Sequence, residues 1–113
     1  MDLGLKDRVA IIGGGSRGIG KACAKEFLAE GAIVVLVSKN PDVNAAAAEE
    51  LGKLHPGRVI GIPADLTDDA AIAAMTAQVV KRYGRIDILV NSAASALVRL
   101  SMAELFSAAG TTV

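Results

Sequence analysis

The residues best suited to chemistry lie in one stretch near the amino terminus. Val9 to Lys21 reads as an apolar run, then glycines at 13, 14, 15, 18 and 20, then the start of a helical pattern. Glycine supplies positive φ where a chain reverses, lets backbone approach a ligand, and allows a helix to pack closely on a strand. A helix starting directly after such a turn presents unpaired N–H groups and a partial positive charge, which suits a phosphate. The spacing is Gly14-x-x-x-Gly18-x-Gly20, with Ser16, Arg17 and Ile19 among the intervening residues, and it differs from the common G-x-G-x-x-G.

Two other readings compete. A glycine turn without a ligand would place five glycines in eight residues at an entropic cost that packing alone does not require. A phosphate loop of the NTPase type is suggested by Gly15 to Lys21, which satisfies G-x-x-x-x-G-K. Ala22, however, stands where a Ser or Thr hydroxyl should hold magnesium.

Other reactive side chains are few. The single cysteine, Cys23, sits between alanines in a helical pattern and reads as a buried, inert thiol. The one histidine, His55, precedes Pro56 in a helix-stop signal and reads as a surface turn residue. No residue is assigned to a metal. Twelve basic and twelve acidic residues cancel, which removes the electrostatic footprint of a general nucleic-acid binder. No apolar run approaches the ~20 residues of a membrane helix, and the first residues show no signal-peptide pattern, so a cytoplasmic protein is the default expectation.

The elements that must position the glycine stretch follow from periodicity. With 113 residues, 52% hydrophobic and only three aromatic, the chain is one globular domain over 1–113 whose core is built from Ala, Val, Ile and Leu. A strand over about 8–13 leads into a helix from Gly18 to about Glu30, with Ile19, Ala22, Cys23 and Phe27 on one face, Lys21 and Lys25 on the other, and Gly31 as C-cap. Ile33 to Val37 is a β-branched run without polar alternation, the mark of a strand covered on both faces. Asn40 and Pro41 start a second helix that ends near His55-Pro56-Gly57. Val59 to Ile62 is a third strand. Thr67 or Asp68 then caps a third helix carrying Ile72, Met75, Val79 and Tyr83 on one face and stopping at Gly84. Asp87 to Val90 is a fourth strand. Ser101 to Glu104 matches a capping box and predicts a short helix to about Ala109, while the tail over 97–113 gives a thin signal. Four strands alternating with helices, joined by right-handed crossovers, predict an α/β fold: a three-layer, Rossmann-like doubly wound parallel sheet in order 3-2-1-4.

These residues resemble the short-chain dehydrogenases/reductases. The family's cofactor motif T-G-x-x-x-G-x-G appears as Gly13 to Gly20, with Gly13 in place of the threonine. Its acidic residue after the third strand matches Asp65, followed by Leu66. Its N-N-A-G motif matches Asn91-Ser92-Ala93-Ala94, keeping the first Asn and the Ala. The resemblance spans roughly 5–98 and implies that the glycine loop takes a pyrophosphate, that Asp65 and Leu66 hold the adenine, and that Asn91 and Ala93 border the nicotinamide ribose.

Charge then argues for the choice of cofactor. A fold selecting NAD usually places a carboxylate about 20 residues beyond the glycines, on the ribose 2′-hydroxyl. Here the second strand ends Val37-Ser38-Lys39-Asn40, without a carboxylate, and Arg17 lies in the loop. Lys39 and Arg17 are expected to close on a 2′-phosphate, giving NADP(H) preference over NAD(H).

The resemblance also implies a Ser-Tyr-Lys catalytic set with Tyr-x-x-x-Lys. Tyr83 is the one tyrosine, and Asp87 rather than Lys follows four residues later. No catalytic residue is therefore assigned. The chain is expected to be the N-terminal, cofactor-binding half of such an oxidoreductase, as a truncated product or a fragment. A non-catalytic nucleotide- or partner-binding module is the alternative. With the fourth strand at a sheet edge, self-association through that edge is expected.

Overall fold

A computed structural model describes residues 4–14 and 18–91. The strands are β1 (Val9–Gly13), β2 (Ile33–Ser38), β3 (Val59–Pro63) and β4 (Ile88–Asn91); the helices are α1 (Gly18–Ala29), α2 (Pro41–Leu54) and α3 (Asp69–Tyr83). All pairings are parallel and the order is β3-β2-β1-β4, as the alternation predicts. Side chains alternate across a strand, so each strand feeds two cores. On one face Val9, Ile11, Val35, Val37 and Ile62 meet Met75 and Val79 of α3. On the other, Ile12, Val34 and Leu36 meet Ala24 and Leu28 of α1 and Ala47 and Leu51 of α2. Val34 to Val37 are buried, which explains why β2 carries no polar alternation.

Helix ends sit where the cap signals place them. Asn40 accepts N–H bonds from Asp42 at 3.0 Å and Val43 at 3.1 Å, ahead of Pro41 at the first helical position. Asp68, rather than Thr67, caps α3 by accepting from the Ala70 N–H at 3.0 Å. Gly31 adopts φ +86° past α1, where its N–H donates to Leu28 O and the Ala32 N–H to Phe27 O, a paired closure that satisfies the last carbonyls. Gly84 closes α3 with φ +77°.

The buried face of α1 differs from the expectation. Gly20, Ala24 and Leu28 face the sheet; Ile19 is 78% exposed, Ala22 is exposed, and Cys23 and Phe27 are only partly buried. The small residues win because they let the helix backbone come close to Ile12 and Leu36, whereas Ile19 at the first turn would hold it off. Cys23 is thus a half-buried thiol beside an apolar groove with Ile19 and Phe27, not a fully buried one. Lys21 does not simply point to solvent: it pairs with Glu50 of α2, holding that carboxyl below its usual range through the bond and the charge. Lys25 is exposed as expected.

β4 begins one residue later than the pattern suggests. Asp87 closes the strand entrance instead, its N–H donating to Val9 O at 2.9 Å and its carboxylate accepting the Val9 N–H at 2.8 Å. Burial alone would raise this carboxyl, but bonds from Arg85 and Val9 with the charges of Arg85 and Arg8 outweigh it and lower the pKa. The predicted helix at 101–109 and the tail at 97–113 lie outside the described residues.

Candidate functional site

Because every strand is parallel, all four carboxyl ends reach one edge of the sheet, where ligands of open α/β sheets sit. Gly13 is in register with Val37 on one side and Asn91 on the other. The Gly14 N–H donates to Val37 O at 2.8 Å and the Ala64 N–H to Ser38 O at 3.0 Å, so the strand ends are tied together. Gly14, just past β1, takes φ +74° and Gly18, at the start of α1, takes φ +54°, the left-handed region that a side chain would strain. The first turn of α1 carries no acidic residue, whereas α2 has Asp42 and α3 has Asp69 there. Its own first turn therefore adds no negative charge at the positive end of the helix.

Gly13 has a reason to be glycine. A Cβ there would stand 2.5 Å from Leu66 Cδ1 and 3.5 Å from Asn91 Oδ1. Leu66 lies over the end of β1 and packs on the core beneath α3, so the absence of the threonine side chain is matched by the leucine that fills its place. Leu66 is therefore partly a core residue as well as a lining one.

At the outer side of the edge, Asp65 and Lys39 meet. Asp65 Oδ1 accepts from the Thr67 N–H at 2.9 Å and the Thr67 hydroxyl at 2.6 Å, an Asx-type turn closing the segment after β3. Lys39 Nζ lies 3.7 Å from Asp65 Oδ2. The Thr67 bonds first, and the Lys39 charge after them, hold the Asp65 carboxyl below its usual range. Ser38 turns its hydroxyl to the Asn40 carbonyl at 3.4 Å, toward the start of α2.

Of the sequence-predicted site residues, Gly14, Gly18, Ser38, Lys39, Asp65, Leu66 and Asn91 come together at this edge. Ile19 stands exposed on the first turn of α1, and Gly20 is buried against the sheet. Ser16, Arg17 and Ala93 lie outside the described residues. Tyr83 is at the other end of the molecule, at the close of α3, where Arg82 Nε donates to its hydroxyl at 3.2 Å.

Two residues escaped sequence reasoning. Thr67 fixes the Asp65 carboxylate; its signal was the Asp-x-Thr spacing, read only as a helix cap. Asn44 is buried in the alanine run of α2, and its Nδ2 donates to Leu36 O at 3.0 Å, fastening α2 to β2 two residues before Ser38. A polar residue at the buried position of an alanine-rich helix was the available signal. Among the described residues, no group of three or more His, Cys, Asp or Glu could hold a metal ion, and no helix is long and apolar enough to cross a membrane.

This arrangement has close counterparts. The short chain dehydrogenase family model matches residues 8–109. The NAD-dependent glycerol dehydrogenase of Listeria innocua is 39% identical over 97 residues, covering 86% of this chain and 37% of that protein. The 3alpha-hydroxysteroid dehydrogenase of Mediterraneibacter gnavus is 42% identical over 90 residues, covering 79% of this chain and 36% of that protein. Among solved structures, L-sorbose reductase from Gluconobacter frateurii, complexed with NADPH and L-sorbose, superposes with TM-score 0.79 at 32% identity, covering 96% of this chain and 43% of that one. The chain thus spans well under half the length of these relatives. With the family model matching residues 8–109 and the fold superposing at TM-score 0.79, the chain belongs to the short-chain dehydrogenase family.

Proposed function

We propose that this chain holds a nicotinamide dinucleotide, with NADP(H) preferred over NAD(H), as the cofactor-binding part of an oxidoreductase. The observation that carries the reading is the charge at the carboxyl end of β2: Lys39 stands there, 83% exposed, on a strand end with no carboxylate of its own. An NAD-selecting sheet usually presents an acid at this place. The relatives' names point both ways, one NAD-dependent and one complexed with NADPH, so the charge at the end of β2 decides the proposal.

The residues fit such a group. The glycine-rich stretch of sequence from Gly14 to Gly20 with the acid-free first turn of α1 suits a pyrophosphate. Ser16 and Ile19 of that stretch would border the pyrophosphate, Ser38 and Lys39 with Arg17 the 2′-phosphate, Asp65 and Leu66 the adenine, and Asn91 and Ala93 the nicotinamide ribose. A bound nicotinamide supplies hydride exchange with a carbonyl or alcohol carbon. No proton-transfer residue is assigned: Tyr83 has its hydroxyl engaged by Arg82, away from this edge.

Calorimetric titration of the 113-residue chain with NADPH and then NADH tests the reading. NADPH is expected to bind more tightly, and Lys39→Asp to reverse the order. A hydrogen bond to a charged group contributes about 1.5–3 kcal/mol, and the high exposure of Lys39 puts the expected loss of NADPH affinity near the lower end, roughly tenfold. Equal affinity for the two dinucleotides, unaltered by Lys39→Asp, refutes the preference.

A further inference from the structure

The edge holds one more determinant of selectivity, and the inference rests on the dinucleotide reading above. Asp65 is fixed from one side: both bonds from Thr67 fall on Oδ1, at 2.9 Å and 2.6 Å. The other oxygen, Oδ2, lies 3.7 Å from Lys39 Nζ. The side chain of Asp65 is 36% exposed and that of Lys39 83%, so the carboxylate is the anchored partner and the ammonium the movable one. An ammonium is a compact, rotatable point charge on a flexible stem, able to leave one anion for another. Its neighbours at the end of β2, Ser38 and Asn40, are neutral.

We propose that Asp65 is a cofactor-selectivity residue: by engaging Lys39 it competes with a 2′-phosphate for that cation and restrains the NADP(H) preference. Any contact of Asp65 with adenine is common to NADPH and NADH and cancels in the ratio of their affinities. Only the 2′ substituent differs, so a change in the ratio isolates the effect on Lys39. Asp65→Asn retains an oxygen for Thr67 while removing the charge.

Dissociation constants for NADPH and NADH are measured on the wild-type chain, Asp65→Asn, Lys39→Gln and the double variant at low salt. The ratio of NADH to NADPH constants is expected to rise in Asp65→Asn by roughly threefold to fivefold, the upper range of an exposed charge pair. It should fall in Lys39→Gln, and adding Asp65→Asn to Lys39→Gln should leave it unmoved within about twofold, because coupled residues lose their interaction once one is removed. Raising ionic strength should shrink the rise, since charges this exposed are screened over about 10 Å at 0.1 M salt. A ratio unchanged by Asp65→Asn while both ligands still bind overturns this inference and leaves the dinucleotide reading standing. A ratio that rises equally in the Lys39→Gln background overturns it as well, assigning the effect to direct repulsion of the phosphate. No saturable binding of either dinucleotide by the wild-type chain overturns the dinucleotide reading and this inference with it.

Discussion

Gly61, in the middle of β3, lies close against α2, and replacing it gives a test with a calculable outcome. A Cβ at this position would stand 3.0 Å from Asn44 Nδ2, 3.3 Å from Ala48 Cβ and 3.3 Å from the Asn44 carbonyl oxygen. All three are closer than an ordinary van der Waals contact, and two belong to helix positions that cannot swing away. Its φ is not in the left-handed region, so Gly61→Ala introduces no backbone strain. The balance is between overpacking, typically about 1–3 kcal/mol, and a smaller unfolded-state entropy, about 0.4–1 kcal/mol in favour of alanine. Overpacking wins, and a net loss of roughly 0.5–2 kcal/mol is expected, a fall of about 3–10 °C in Tm for a domain of this size. Asn44 should carry much of that loss. Its amide holds Leu36 O at 3.0 Å, and the added methyl presses on the donor. In an Asn44→Ala background Gly61→Ala should therefore cost less, with a coupling of about 0.5–1.5 kcal/mol. Urea unfolding followed by far-ultraviolet circular dichroism, with Tyr83 fluorescence as a second probe of two-state behaviour, measures all four corners of the cycle. A Gly61→Ala chain as stable as wild type, or strict additivity in the double variant, refutes the argument that close α2–β3 approach requires this glycine.

Further expected outcomes concern charge, burial and assembly. Asp87 has a folded-state pKa lowered from 3.8, so its stabilisation is complete above that unfolded value and is lost as pH falls through the lower folded one. The stability gap between wild type and Asp87→Asn should accordingly be constant from pH 5 to 7, and narrow below about pH 4; a gap that widens on acidification contradicts the assignment. Ile19→Ser should change stability by less than about 0.5 kcal/mol because the side chain is 78% exposed, while Leu28→Ala should cost about 2–5 kcal/mol. Comparable losses for the two would restore the buried face that the sequence suggests. β4 lies at the edge of the described sheet with its residues half-buried or exposed, and we expect association through it. Light scattering should show a mass that rises with concentration, and a constant monomer mass would count against it.

Much of this protein follows from local chemistry. The β-branched run at 33–37, the Asn40-Pro41 start, the glycines at 31 and 84 and the apolar spacing of Ile72, Met75 and Val79 each act within a few residues, so they place β2 and the helix ends without any knowledge of distant contacts. The glycine turn and the cation at Lys39 were legible for the same reason. The α1 face was not, because two apolar stripes compete along that helix and hydrophobicity favours Ile19 and Phe27; only the facing sheet reveals that approach distance selects Gly20 and Ala24. Nor could the sequence show that Leu66 occupies the space over Gly13, that Asn44 fastens α2 to Leu36, or that Asp65 lies beside Lys39. Each joins separate elements of the chain. Their energies depend on ångström-scale distances that the crossovers set, so the sequence determined which elements form, and the tertiary structure alone decided which of their side chains meet.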